Sequence, residues 1–132
     1  MALLKLAPSF KDYIWGGHRL VEEYHKAYEG EVLAESWELS CHPDGPSTIM
    51  NGPFAGKTLA EYIEEEGKTV LGSHCGRFED FPILIKFIDA KQDLPVQVHP
   101  DDDYARAHEH GSLGKTEMWY VLDAAKDAQL VY

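Results

Sequence analysis

The chain has 132 residues, and a chain of that length buries about two-thirds of its extended surface, enough for a substantial core. Its apolar share of 44% and charged share of 27% are ordinary for a soluble globular protein. Twelve Lys and Arg against 23 Asp and Glu give a formal net charge of −11, which excludes a nucleic-acid footprint but not a few local lysines that hold an anion.

Met1 to Leu6 is too short for the apolar region of a signal peptide and runs into Pro8, and no stretch reaches the apolar length of a membrane span. With Cys41 and Cys75 as its only cysteines, the expectation is a reduced cytoplasmic protein with two free thiols and no membrane contact. No repeat, low-complexity tract or linker appears, so residues 1–132 are expected to form a single domain without an internal boundary.

Tyr13-Ile14-Trp15-Gly16-Gly17 is an apolar patch broken by a turn. Ser36 to Ser40 alternates polar and apolar residues and predicts a half-buried strand, and His42 to Ser47 follows as a turn rich in Pro, Asp and Gly. Thr58-Leu59-Ala60-Glu61 is a capping box opening a helix from Leu59 to Glu66, which Gly67 stops. Ile83 to Ile88 is a β-branched and aromatic run expected to be a strand buried on both faces. A second helix is predicted from Asp102 to about His110, with aspartates at its positive end and Gly111 closing it. Val96–His99 and Met118–Leu122 are the remaining predicted strands, and Ala128 to Tyr132 reads as a strand just begun or as an ordinary edge strand. Many short strands and two small helices predict a mainly β sandwich or barrel with helical decoration.

Two Gly-Lys-Thr tripeptides invite a phosphate-loop reading, but Gly52 to Thr58 has three residues between its glycines and Gly111 to Thr116 has two, where the loop needs four. His108 and His110 diverge by about 200° on a helix and are better explained by charge placement at its C-terminus. His18, His25, His42 and His74 lack a ligand partner at useful spacing and read as surface residues. Lys86, inside an apolar run, must be paired or snorkel out. It either snorkels at an edge or stands as a cation at the floor of an anion pocket, and neighbouring predicted strands bearing Gln97, His99 and Lys115 favour the pocket. In an extended strand Gln97 and His99 point the same way, about 7 Å apart, and Lys115, Glu117 and Trp119 share a face of another. An amide oxygen, an imidazole and a carboxylate on one surface make either a hard-to-borderline metal site or a solvated polar cluster. Spacing alone leaves both open.

Phe81 to Ala90, Val96 to Asp102 and Glu109 to Tyr120 resemble, in order and at length, the type I mannose-6-phosphate isomerases in their shorter bacterial form. Tyr13 to Gly17 and Glu35 to Ser40 fit the opening of the same family. The resemblance implies a cupin-type jelly roll with a small helical insertion, incomplete over this length, and a zinc-dependent aldose–ketose isomerase that interconverts mannose 6-phosphate and fructose 6-phosphate. It implies one zinc per full-length protein, held by Gln97, His99 and Glu117 with a second histidine further along. The family's active-site lysines fall on Lys86 and Lys115, with both catalytic and substrate-binding roles, and its catalytic arginine lies downstream. Moving a carbonyl between C1 and C2 through an enediolate suits a Lewis-acid metal and lysine point charges for a phosphate dianion.

Pro95 departs from the family, which usually has Ser there; the change removes a hydroxyl and a backbone N–H near the expected phosphate. The family is more than twice this length, so the chain reads as the N-terminal portion of an isomerase and, by itself, as an inactive one. The alternative is a non-catalytic cupin module that binds a sugar phosphate. An iron-dependent cupin oxygenase, in which His99 and Glu117 belong to a two-His-one-carboxylate triad, is disfavoured by Gln97 and the lysines.

Overall fold

Pro8 splits the first extended segment, because a proline cannot donate to a ladder and the chain changes sheets around it. In the computed structural model, which describes residues 3–131, Leu6–Ala7 (β1) and Ser9–Lys11 (β2) lie either side of it. The chain divides into two compact units at the Leu94–Pro95 junction.

The first unit adds Arg19–Glu22 (α1), Glu35–Leu39 (β3), Thr48–Ile49 (β4), Leu59–Glu66 (α2), two 3-10 turns at Lys68–Leu71 and Ser73–Arg77, and Ile85–Ile88 (β5). β1 pairs antiparallel with β4, Leu6 opposite Ile49. β2, β3 and β5 form a three-stranded antiparallel sheet with β3 in the middle. Its register sets Lys11 opposite Glu35, and Trp37 opposite both Ser9 and Lys86. Leu20, Leu33, Ala34, Trp37, Ile49 and Leu59 are buried with three fully enclosed serines, Ser36, Ser40 and Ser47. The serines are satisfied locally; Ser47 Oγ, for example, accepts from the Ser40 N–H at 3.0 Å.

The turn at Tyr13–Gly17 forms, with the Gly16 N–H donating to the Tyr13 carbonyl at 2.9 Å. The predicted turn after β3 also forms, closed by the Gly45 N–H on the His42 carbonyl at 3.0 Å. α2 has the predicted bounds and both halves of its capping box: the Glu61 N–H donates to Thr58 Oγ1 at 3.2 Å, and Glu61 Oε2 accepts from the Thr58 N–H at 2.7 Å. α1 was not legible in the sequence. β5 departs from expectation. It starts at Ile85 and is an edge strand, with Ile83 50% and Ile85 52% exposed. Among the described strands, β3 is the one with buried residues on both faces, at Glu35, Ser36 and Trp37.

In the second unit Asp102–His108 (α3) is the one helix or strand among the described residues. Asp101 caps it, Oδ1 accepting from the Tyr104 N–H at 2.8 Å, and its own Ala105 is buried. The strands predicted at Val96–His99 and Met118–Leu122 are absent, as is any strand at 128–131; Tyr132 lies outside the described residues. Alternating apolar residues make a strand only where another strand accepts their backbone bonds, and here none does among the described residues. Val96, Val98, Met118 and Tyr120 are accordingly 83–96% exposed. The five strands among the described residues, with few and short helices, make the fold mainly β as predicted. No helix among the described residues is long and apolar enough to cross a membrane.

Candidate functional site

His99 and Glu117 stand 18 residues apart in sequence, with α3 between them, and the second unit folds back to bring them together. Gly111 takes a positive φ of 86° as the chain leaves the helix. Gly114 then packs so tightly on the start of α3 that a Cβ would lie 2.5 Å from the Asp101 carbonyl carbon. Its N–H donates to Asp102 Oδ1 at 2.9 Å, and the Lys115 N–H donates to the Pro100 carbonyl at 3.1 Å. Residue 115 is thus fixed beside residue 100, and Glu117 comes opposite His99.

Glu117 is the hub. His99 Nε2 donates to its Oε2 at 3.0 Å, the Trp119 indole N–H donates to the same oxygen at 3.2 Å, and Lys115 Nζ pairs with Oε1 at 2.9 Å. The His99 and Glu117 side chains are 28% and 24% exposed, so the pair is sheltered but reachable. Partial burial pushes the Glu117 carboxyl up, but donors on Lys115, Trp119 and His99 together with the Lys115 charge outweigh it and hold the carboxyl down at about 2. The carboxylate is therefore ionised around neutral pH, as a metal ligand must be.

The pair passes a simple test for zinc. A tetrahedral ion with bonds of about 2.1 Å separates a nitrogen and an oxygen ligand by roughly 3.4 Å. The observed 3.0 Å is close to that, so little rearrangement is needed to replace the shared proton by a cation. Among the described residues no group of three or more His, Cys, Asp and Glu side chains converges, so within those residue types the donor set stops at this pair. Gln97, the third ligand expected from sequence, is exposed and is not one of the groups bonded to Glu117.

Lys86 lies in the first unit. It neither snorkels nor stands bare: Nζ pairs with Glu35 Oε1 at 2.9 Å, and the Trp37 indole N–H donates to Glu35 Oε2 at 2.7 Å. Of the five residues singled out by sequence, only Lys86 sits on a strand; Gln97, His99, Lys115 and Glu117 do not. Sequence reasoning missed the donor role of Trp119 and the buried charge at Glu35, although alternation had put Trp119 on the face of Glu117. His18, His25, His42 and His74 are all exposed, as expected.

The sequence profile of the phosphomannose isomerase type I catalytic domain matches residues 3–127. The chain belongs to the type I phosphomannose isomerases. Among curated members of that phosphomannose isomerase family, mannose-6-phosphate isomerase ManA of Bacillus subtilis is 43% identical over 125 residues, covering 95% of this chain and 38% of ManA. The crystal structure of the mannose 6-phosphate isomerase from Bacillus subtilis superposes with a TM-score of 0.88 at 44% identity, over 97% of this chain and 40% of that one. A mannose 6-phosphate isomerase crystallised with zinc and yttrium matches with a TM-score of 0.67 at 31% identity, over 83% of this chain and 29% of that one. The chain thus spans about 40% of the length of the curated phosphomannose isomerases it matches.

Proposed function

We propose that the protein carrying this chain is a zinc-dependent aldose–ketose isomerase that interconverts mannose 6-phosphate and fructose 6-phosphate. The observation that carries the reading is the meeting of His99 Nε2 and Glu117 Oε2 at 3.0 Å, with Lys115 on the other carboxylate oxygen. In this reading His99, Glu117 and Gln97 hold the zinc with a further ligand from elsewhere in the protein. Bound there, zinc supplies Lewis acidity that stabilises the negative charge developing on the sugar oxygens.

The chain's own groups do the rest. Trp119 and Lys115 orient the Glu117 carboxylate, a supporting shell that fixes the ligand's direction. Lys115, beside the metal pair, offers its remaining ammonium donors to the substrate. Lys86 offers a second point charge suited to a phosphate dianion. Pro95 provides no backbone N–H to that phosphate, so binding leans on the lysines.

The family match runs unbroken across the Leu94–Pro95 junction, which supports both units belonging to one catalytic domain. Two free thiols, Cys41 and Cys75, accord with a cytoplasmic location. A second reading, a sugar-phosphate-binding module without turnover, is favoured by Lys115, which stands beside the Glu117 carboxylate with ammonium donors to spare and can hold an anion without any metal chemistry. The test is isomerisation of mannose 6-phosphate by a protein of the relatives' length, with metal content measured in parallel. One zinc per protein, lost with activity in His99→Ala, is expected; full activity without zinc, or in His99→Ala, refutes it. Binding of mannose 6-phosphate without conversion selects the second reading.

A further inference from the structure

Glu35 is a charge placed where a charge is costly. It is 6% exposed and sits on the central strand β3 among Leu33, Ala34 and Trp37, all buried. Both of its oxygens are used, Oε1 by Lys86 Nζ at 2.9 Å and Oε2 by the Trp37 indole at 2.7 Å. A buried ion pair is a poor stabilising device, since apolar residues of the same volume often do as well or better. What such a pair does provide is position. Trp37 is itself held, with Lys11 Nζ 4.6 Å from its ring centre, His42 edge-on at 5.7 Å, and Gly45 so close that a Cβ there would lie 2.8 Å from the indole. The cross-strand register, Trp37 opposite Lys86, completes the frame.

We propose that Glu35 is a positioning residue for Lys86: its buried carboxylate, aimed by the Trp37 indole, fixes the Lys86 ammonium in the orientation that receives the substrate's phosphate. The proposal rests on the reading of Lys86 as a substrate lysine given above. Glu35 takes one of the three ammonium donors and leaves two for a ligand. The Lys86 side chain is 23% exposed, so it is held from below and open from above. Without Glu35 a four-carbon stem would swing through several rotamers, and misplacement of such a group by about 1 Å costs on the order of 100-fold.

The test is steady-state kinetics with mannose 6-phosphate in the isomerase of the relatives' length, comparing Glu35→Gln, Lys86→Ala and the double variant, each checked for a native melting transition. The expected result is a KM raised about 10- to 100-fold in Glu35→Gln with kcat changed far less, a similar rise in Lys86→Ala, and no further rise in the double. A purely structural role would lower the active fraction, and hence kcat, and leave KM alone. An unchanged KM in Glu35→Gln, or a further rise in the double variant, overturns the proposal while leaving Lys86 as a substrate residue. An unchanged KM in Lys86→Ala removes both the proposal and the reading beneath it. Should Glu35→Gln fail to fold, Trp37→Phe keeps both charges and removes the N–H that aims the carboxylate, together with part of the buried ring. It is expected to raise KM about threefold, and an unchanged KM there counts against the proposal. Acetylation of Lys86 by acetic anhydride, relative to exposed Lys91 and Lys126, gives an independent readout: several-fold faster labelling in Glu35→Gln supports Glu35 control, and an unchanged rate overturns it.

Discussion

Replacing Gly16 and Gly17 by alanine, one at a time, tests how the start of the sheet is packed. A Cβ on Gly16 would lie 2.6 Å from Ala34 Cα and 2.7 Å from its nitrogen, so the obstacle is backbone. To relieve it, residue 34 must move by about 1 Å, judged against ordinary carbon contacts of 3.5–4 Å. That residue carries two sheet bonds, its N–H on the Lys11 carbonyl at 2.8 Å and its carbonyl receiving the Asp89 N–H at 2.9 Å. Weakening both at about 1 kcal/mol each, with overpacking strain of about 1 kcal/mol, gives a loss of about 3 kcal/mol. A Cβ on Gly17 meets instead the end of a side chain, Asp89 Oδ2 at 2.4 Å. Asp89 can rotate away, at the cost of its hydrogen bond from the Arg19 N–H, 2.8 Å long. One charge-assisted bond is about 2 kcal/mol. Urea unfolding followed by circular dichroism should therefore rank Gly16→Ala below Gly17→Ala and both below wild type, with midpoints lowered by roughly 1–2 M. Asp89→Ala makes room and has already lost the bond, so adding Gly17→Ala to it should cost less than about 0.5 kcal/mol. Equal costs for the two alanines, or a full Gly17→Ala penalty in the Asp89→Ala background, would refute this account of the packing.

Thr58→Ala removes the side-chain half of the α2 cap and should cost about 1 kcal/mol in the same unfolding experiment, whereas Thr58→Ser should cost little. The backbone N–H and hydroxyl of Thr58, and more weakly the Lys57 charge, hold the Glu61 carboxyl below its ordinary value. Its folded value lying under the unfolded one, the cap's contribution is complete above about pH 4.5 and drains away as acid protonates Glu61. Helicity of α2 should fall in that window, and Glu61→Gln should abolish that part of the pH dependence. By the same sign, NMR titration of Glu117 in the metal-free chain should give a midpoint at about 2, raised towards the ordinary value by Lys115→Met and, less, by Trp119→Phe; an ordinary midpoint in the unaltered chain contradicts the cluster.

The features readable in the sequence were those that local chemistry settles. Thr58 and Glu61 cap a helix whatever surrounds them, and the Pro-Asp-Gly run after β3 turns for reasons internal to itself. The misreadings arose where the answer depends on a partner. Ile83 to Ile88 has the composition of a strand buried on both faces, but burial follows from what packs over those faces, and no β5 residue is fully covered. Val96–His99 and Met118–Leu122 alternate correctly, yet alternation does not provide a ladder. The site divides along the same line. The period of two put Lys115, Glu117 and Trp119 on one side, and the structure does gather those three. That His99 faces Glu117 depends on Gly114 seating against α3, which no periodicity encodes. Glu35 was the least visible, since a glutamate in an alternating strand ordinarily faces water, and only the lysine on β5 and the indole two residues along β3 reveal otherwise.

The turn that seats Gly114 on Asp101 and Asp102 makes the contact between His99 and Glu117 a local one. Closing a loop of 18 residues costs on the order of 2–3 kcal/mol of chain entropy, little more than a long hairpin. A ribosome adding 5–20 residues per second would emit that whole stretch in about 1–4 s. The imidazole and carboxylate could thus find each other on the nascent chain soon after both have emerged, with no need to wait for distant segments.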